Sequence, residues 1–286
     1  MNILEHVSLM DVARVVATLV FIYLAIVGLM WLFQGKLIFQ NIIAEKFAPA
    51  EKHLTHLNHH ILKTPEGETL YGYSDKNKDP HAPLVVAFTG NAQNSASFAL
   101  MMEQFFPDMQ LLVCHYRGYA PSTGKPGQKA LYADAKRIMD FAESHFKAKR
   151  TVLLGVSMGG AMATYASNYR DVEGLVLVTP FDSMANVGQE TYPFVPVKLL
   201  VRHPMDLTKE LPGNETPVAV LASDADKVIS QDRLDNLISQ IRNLWGYELF
   251  EDLPHEGVLN DVDFVKRLRY WVYAFGGLKN MDKGAD

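Results

Sequence analysis

Thr151-Val152-Leu153-Leu154-Gly155-Val156-Ser157-Met158-Gly159-Gly160-Ala161-Met162-Ala163 is the stretch on which the fold turns. Its first six residues form a short apolar run of the kind that fills a strand buried on both faces. Its second half is rich in small residues, which suits a helix packed close to its neighbours. Between the halves stands Ser157, inside a Gly-x-Ser-x-Gly pattern. A serine on a tight strand-to-helix turn is held in a strained conformation, and flanking glycines let neighbouring backbone approach without a Cβ clash. The pattern alone arises by chance; after a strand and before a helix it marks Ser157 as a candidate nucleophile. A glycine-rich turn with an incidental serine is the bland alternative.

Similar apolar runs lie on both sides. Leu84–Phe88, Gln110–Cys114, Leu175–Val178 and Val218–Leu221 read as buried parallel strands, and the mixed run Tyr247–Phe250 as one nearer an edge. Upstream, Leu57–Leu62 and Thr69–Tyr73 read as two strands joined by the turn Pro65-Glu66-Gly67. Leu131, Ala135, Ile138 and Ala142 share one helical face, and Val262, Val265, Leu268 and Trp271 form a second stripe expected to pack on the sheet. Strands separated by helices imply crossovers, hence an α/β fold with a mostly parallel central sheet flanked by helices.

A serine hydroxyl needs a base to remove its proton. Asp226 follows the Val218–Leu221 strand and His255 follows the last one, so the chain offers the order Ser157, Asp226, His255. Asp224 is a second possible acid. The oxyanion of a tetrahedral intermediate needs two backbone donors. Met158 supplies one by position, and the loop Thr89-Gly90-Asn91-Ala92-Gln93-Asn94 is expected to supply the other through the Asn91 amide. His53, His56, His59 and His60 cluster without a nearby acidic partner and read as a solvated patch. No metal or organic cofactor is implied. The single cysteine, Cys114, lies in an apolar run and reads as a small buried hydrophobe.

The N-terminus is different. Val15–Phe33 is 19 residues without a charge, spanning ~28 Å as a helix, which matches the hydrocarbon core of a bilayer. A cleaved signal peptide usually has a shorter apolar region followed by small residues; here the stretch ends Trp31-Leu32-Phe33-Gln34-Gly35-Lys36. The expectation is an uncleaved membrane anchor over residues 1–36 and a single-pass protein of a bacterial inner membrane. The basic residues Arg14 on one side and Lys36, Lys46 and Lys52 on the other differ too little to set its orientation. A juxtamembrane stretch (about 34–52) leads to a catalytic domain over 37–278, with a lid at about 184–205. The end from about Gly276, and 279–286 in particular, is expected to be a polar tail. With a net charge of −5 and no long basic run, nucleic acid is not an expected partner. Oligomeric state is not legible.

Taken together, these residues resemble the α/β-hydrolase superfamily, and within it the single-pass membrane-anchored serine hydrolases related to the serine aminopeptidase-like group. Thr89-Gly90-Asn91-Ala92 is similar to that group's His-Gly-Asn-Ala loop. Tyr116-Arg117-Gly118-Tyr119-Ala120-Pro121-Ser122-Thr123-Gly124 resembles its Tyr-Arg-Gly-Tyr-Gly-x-Ser-x-Gly loop, and Gly155–Gly160 its elbow. Pro180-Phe181-Asp182-Ser183 is similar to the segment after the next strand, and the group's Gly-x-x-Asp-x-x-Val acid falls on Asp226, with Ser223 in place of the glycine. Thr89, His115 and His255-Glu256-Gly257 depart from the group's usual residues. The resemblance implies an α/β-hydrolase fold and a Ser157–His255–Asp226 triad working through an acyl-enzyme. Tyr192, Phe194, Val195, Val197, Leu199 and Leu200 make the lid apolar. With a membrane tether, that favours a carboxylesterase, lipase or thioesterase acting on acyl or lipid esters. An aminopeptidase-like serine peptidase and a non-catalytic scaffold are the rivals.

Overall fold

The computed structural model describes residues 8–76 and 78–278. A long helix α1 (Leu9–Ile38) and a short α2 (Asn41–Glu45) lead into the hairpin of β1 (Leu57–Lys63) and β2 (Thr69–Asp75). Strands and helices then alternate through β3 (Leu84–Phe88), α3 (Ser95–Phe105), β4 (Gln110–Cys114), α4 (Gln128–His145), β5 (Thr151–Val156), α5 (Met158–Tyr169) and β6 (Gly174–Val178). Three short helices, α6 (Met184–Thr191), α7 (Val197–Leu200) and α8 (Leu207–Glu210), precede β7 (Val218–Ser223). Then come α9 (Gln231–Ile238), β8 (Leu244–Phe250) and α10 (Val262–Gly276).

The strands form one sheet of eight in the order β1-β2-β4-β3-β5-β6-β7-β8. β2 runs antiparallel to β1 and β4, and every other neighbouring pair is parallel. Successive strand residues point to opposite faces, so a strand covered on both sides must be apolar throughout. On one face Val86, Leu153 and Leu177 pack with Leu131, Ile138 and Met162 of α4 and α5. On the other, Val85, Leu154 and Val176 pack with Phe98 and Met102 of α3 and Phe264 and Leu268 of α10. β8 alternates between partly buried and exposed residues because it is the sheet's edge.

Two expectations need correction. In α10 the buried face is Phe264, Leu268, Val272 and Phe275, whereas Val262 is 68% exposed. Asp261 caps the helix by accepting from the Phe264 amide, and this phase buries the two phenylalanines at the expense of the smaller valines. The chain also does not turn polar at Gly276, which is buried as the last residue of α10, and Leu278 packs on the core. Residues 279–286 of the expected tail, and residues 1–7 of the expected anchor, lie outside the described residues.

α1 is 30 residues long, ~45 Å at 1.5 Å per residue. Ser8 and Asp11 form a reciprocal capping box at its start and Lys36 lies in its last turn. The helix therefore continues past Gln34, where the juxtamembrane stretch was expected to begin. Of its residues only Gln34 is buried.

Candidate active site

The carboxyl ends of β3, β5, β7 and β8 lie along one edge of the sheet, so the loops that leave them converge. At the end of β5 the chain turns into α5 at Ser157, which has φ 50° and ψ −116°. A non-glycine residue there is strained. The turn is held by the Ser157 amide donating to the Val178 carbonyl at 2.8 Å and by the Gly160 amide donating to the Ser157 carbonyl at 2.9 Å. A Cβ on Gly159 would lie 2.2 Å from the Phe88 carbonyl oxygen, and one on Gly155 would lie 2.6 Å from the Gly160 Cα. Both glycines are therefore required by close backbone approach.

The elbow brings the serine to the histidine. Ser157 Oγ lies 3.0 Å from His255 Nε2, and His255 Nδ1 lies 2.6 Å from Asp226 Oδ2. The other Asp226 oxygen accepts from the Val228 and Ile229 amides, both at 2.8 Å, which locks the carboxylate's orientation. The side chains of His255 and Asp226 are 12% and 4% exposed. Asp224 is directed elsewhere, accepting from the Asp252 amide at 3.0 Å. A hydroxyl facing an imidazole whose far nitrogen is held by a shielded carboxylate can pass its proton to the ring.

Asn91, Met158, Ser157 and His255 line one cavity of about 810 Å³. Met158 is the first residue of α5, where a helix leaves the amide without an internal acceptor. Both ends of the Asn91 side chain are held: its Nδ2 donates to the Ile38 carbonyl, and its Oδ1 accepts from the Gln40 amide at 3.0 Å and the Tyr119 hydroxyl at 2.6 Å. Tyr116 braces the same loop by donating to the Thr89 carbonyl at 2.7 Å. Burial pushes the Tyr116 and Tyr119 hydroxyls above their ordinary pKa, so both remain neutral donors. The Tyr116–Gly124 motif thus acts on this site through two tyrosines whose partners spacing alone could not reveal. Arg117 anchors the motif from below with two bonds to buried Asp134, at 2.9 and 2.7 Å.

Asp182 is fully buried and accepts from Asn186 Nδ2 at 2.7 Å, Arg233 Nη1 at 2.9 Å and Asn236 Nδ2 at 2.7 Å. It ties the root of α6 to α9, beside the Asp226 loop. The lid expectation also covers a contact that sequence reasoning did not foresee. The segment packs along α1, and Val27, Met30, Trp31, Gln34 and Ile38 of that helix line the cavity. His56, His59 and His60 of the histidine cluster have separate partners: Glu103, the Leu54 carbonyl and Ser74.

Similarity to known proteins agrees with this architecture. The family model described as alpha/beta hydrolase fold matches residues 83–202. A protein of Mycobacterium tuberculosis, uncharacterized protein Rv2307c, is 27% identical over 183 residues, covering 63% of this chain and 65% of its own. The chain thus spans just under two thirds of the length of that curated relative. Uncharacterized membrane protein YNL320W of Saccharomyces cerevisiae is 29% identical over 177 residues, covering 59% of this chain and 62% of its own. Among solved structures, the Pyrococcus furiosus esterase Pf2001 is similar with a TM-score of 0.63 at 18% identity, over 80% of this chain and 92% of its own. A bacterial membrane phospholipase A is similar with a TM-score of 0.59 at 16% identity, over 92% of this chain and 99% of its own. The sheet order, the elbow and these similarities make this chain a protein of the α/β-hydrolase fold.

Proposed function

We propose that the chain is a membrane-anchored serine hydrolase that cleaves acyl esters through a covalent acyl-enzyme. The observation that carries this reading is the continuous hydrogen-bonded line from Ser157 Oγ through His255 to Asp226. Ser157 Oγ attacks the ester carbonyl carbon while its proton passes to His255 Nε2. Asp226, bonded to Nδ1, holds the productive tautomer and stabilises the imidazolium. The amides of Asn91 and Met158 receive the oxyanion. Collapse breaks the bond to the alkoxy oxygen, which leaves as the alcohol with the proton from His255. Water then attacks the acyl-enzyme, giving its proton to His255, and Ser157 departs with that proton as the carboxylic acid is released.

The cavity wall beside Ser157 is mainly aliphatic and aromatic, including Phe181, Val187, Val195, Val228 and Leu259. Such a wall suits an acyl chain better than a peptide amine. The structurally similar proteins named as an esterase and a phospholipase A support the same substrate class. α1 is read as the single anchor, in keeping with the yeast relative named a membrane protein. The test is hydrolysis of a p-nitrophenyl ester series by detergent-solubilised protein. Ser157→Ala is expected to lower kcat about a thousandfold or more; equal turnover by the variant would overturn the reading.

A further inference from the structure

The contacts between α1 and the lid fix how deep the lid reaches. Tyr23 Oη donates to the Phe194 carbonyl at 2.9 Å, and Gln34 Nε2 donates to the Leu200 carbonyl at 3.2 Å. Gln34 Oε1 in turn accepts from the Arg202 amide at 2.6 Å. Arg202 also stacks over the Trp31 ring at 5.1 Å and donates to the Trp31 carbonyl at 3.1 Å. A tryptophan paired with an arginine, five residues before the first charge (Lys36), is the signature of the headgroup level of a bilayer. Tyr23 is eight residues earlier in the helix, ~12 Å deeper, and half a hydrocarbon core is only ~15 Å thick. The lid backbone at Phe194 therefore lies at the level of the uncharged stretch.

Its own chemistry suits that level. Irregular backbone at membrane depth is tolerated only where its polar groups are satisfied by protein. The Tyr192 carbonyl accepts from the Val195 amide, that of Pro193 from Gln189, that of Phe194 from Tyr23, that of Val195 from the Val197 amide and Gln189, and that of Pro196 from the Leu199 amide. Two of those five residues are prolines with no N–H, the Tyr192 and Val195 amides donate to the Gly188 and Tyr192 carbonyls, and the Phe194 amide is the one N–H of the five without a protein acceptor among the described residues. Phe194 and Leu199 each turn outward, 86% exposed. On the inner side, Tyr23, Val27, Met30, Gln34 and Ile38 recur at helical spacing, so one face of α1 meets the lid and the cavity that contains Ser157.

We propose that the Tyr192–Pro196 end of the lid is inserted in the leaflet against α1, and that the Val27–Met30–Ile38 face of α1 is one wall of an acyl-chain site. Lipid ester substrates then pass from the bilayer to Ser157 along α1 rather than through water. The second half rests on the hydrolase reading given above, and the insertion on the reading of α1 as the membrane anchor. Phe194 would contact lipid chains directly, while the substrate's own chain lies between α1 and Val195.

Two measurements on the full chain in phosphatidylcholine vesicles test this. Nitroxide labels are placed singly at Phe194→Cys and, as a water-exposed control at the opposite end of β5, at Lys149→Cys, both in a Cys114→Ala background. The Phe194 label is expected to be relaxed by oxygen and protected from a soluble nickel chelate, with the reverse at Lys149. Equal nickel access at the two sites overturns the insertion. Met30→Trp, which fills the cavity from the α1 side, is expected to lower the ratio of kcat/KM for a long-chain glycerolipid in vesicles to that for a short soluble ester at least tenfold. An unchanged ratio overturns the acyl wall. Failure of the unsubstituted protein to hydrolyse either ester overturns the hydrolase reading and the acyl wall together, and the label result still decides the insertion.

Discussion

His115 shows how one buried side chain becomes a physical property of the whole protein. It is 2% exposed, its Nε2 has no hydrogen-bond partner, and the ring packs edge-on against Tyr73 at 5.6 Å. Burial lowers its pKa to about 4, and His60 is likewise lowered to about 4 by burial and by the neighbouring His145 and His59. Both rings are neutral in the folded protein, whereas the unfolded chain binds their protons near pH 6.5. Their contribution to stability is therefore complete above about pH 6.5 and is lost as pH falls toward 4. The melting temperature in detergent is expected to drop across that window, with a shallower slope in His115→Gln. Identical slopes would contradict this account of His115. At this scale the sequence was most informative where one residue type is demanded. Ser157 with its glycines, and the order of Asp226 and His255, could be read directly. That Asp224 bonds instead to the Asp252 amide could not, because two residues of loop separate the candidates and only the fold sets their directions.

Among the elements, the end of α1 and the loop after β3 are joined by one side chain. Asn91 links the Ile38 carbonyl and the Gln40 amide to Tyr119, so the loop proposed to receive the oxyanion takes its position from the end of α1. Asn91→Ala keeps the backbone amide but leaves the buried Tyr119 hydroxyl without its acceptor, and an unsatisfied buried polar group typically costs about 1–3 kcal/mol. We expect kcat for a short soluble ester to fall roughly tenfold, the equivalent of about 1.4 kcal/mol of transition-state stabilisation, with KM changed less than about twofold. An unaltered kcat would show that the tether does not position the loop. The strands were legible because burial on both faces demands continuous apolar runs. The phase of α10 was not, since two overlapping stripes share the helical period and only packing selects Phe264 and Phe275 over Val262. The inward face of α1 was also hidden. In a helix apolar all round, periodicity carries no signal, and the lone Gln34 was the one clue.

At the scale of the whole molecule, an α/β core is joined to a long apolar helix that lines the cavity containing Ser157. The core follows from alternating strands and helices. The juxtaposition of α1 with the lid depends on contacts 166 to 171 residues apart in sequence, which no local pattern encodes. All of these features converge on one atom, Ser157 Oγ, and the central claim is that it is activated by His255 and Asp226. Reaction of the detergent-solubilised protein with a fluorophosphonate, followed by mass spectrometry of its peptides, tests that claim most directly. One phosphonyl adduct is expected, on Ser157, with a rate of formation that falls by orders of magnitude in His255→Ala. An unlabelled Ser157, or labelling as fast without His255 as with it, would contradict it.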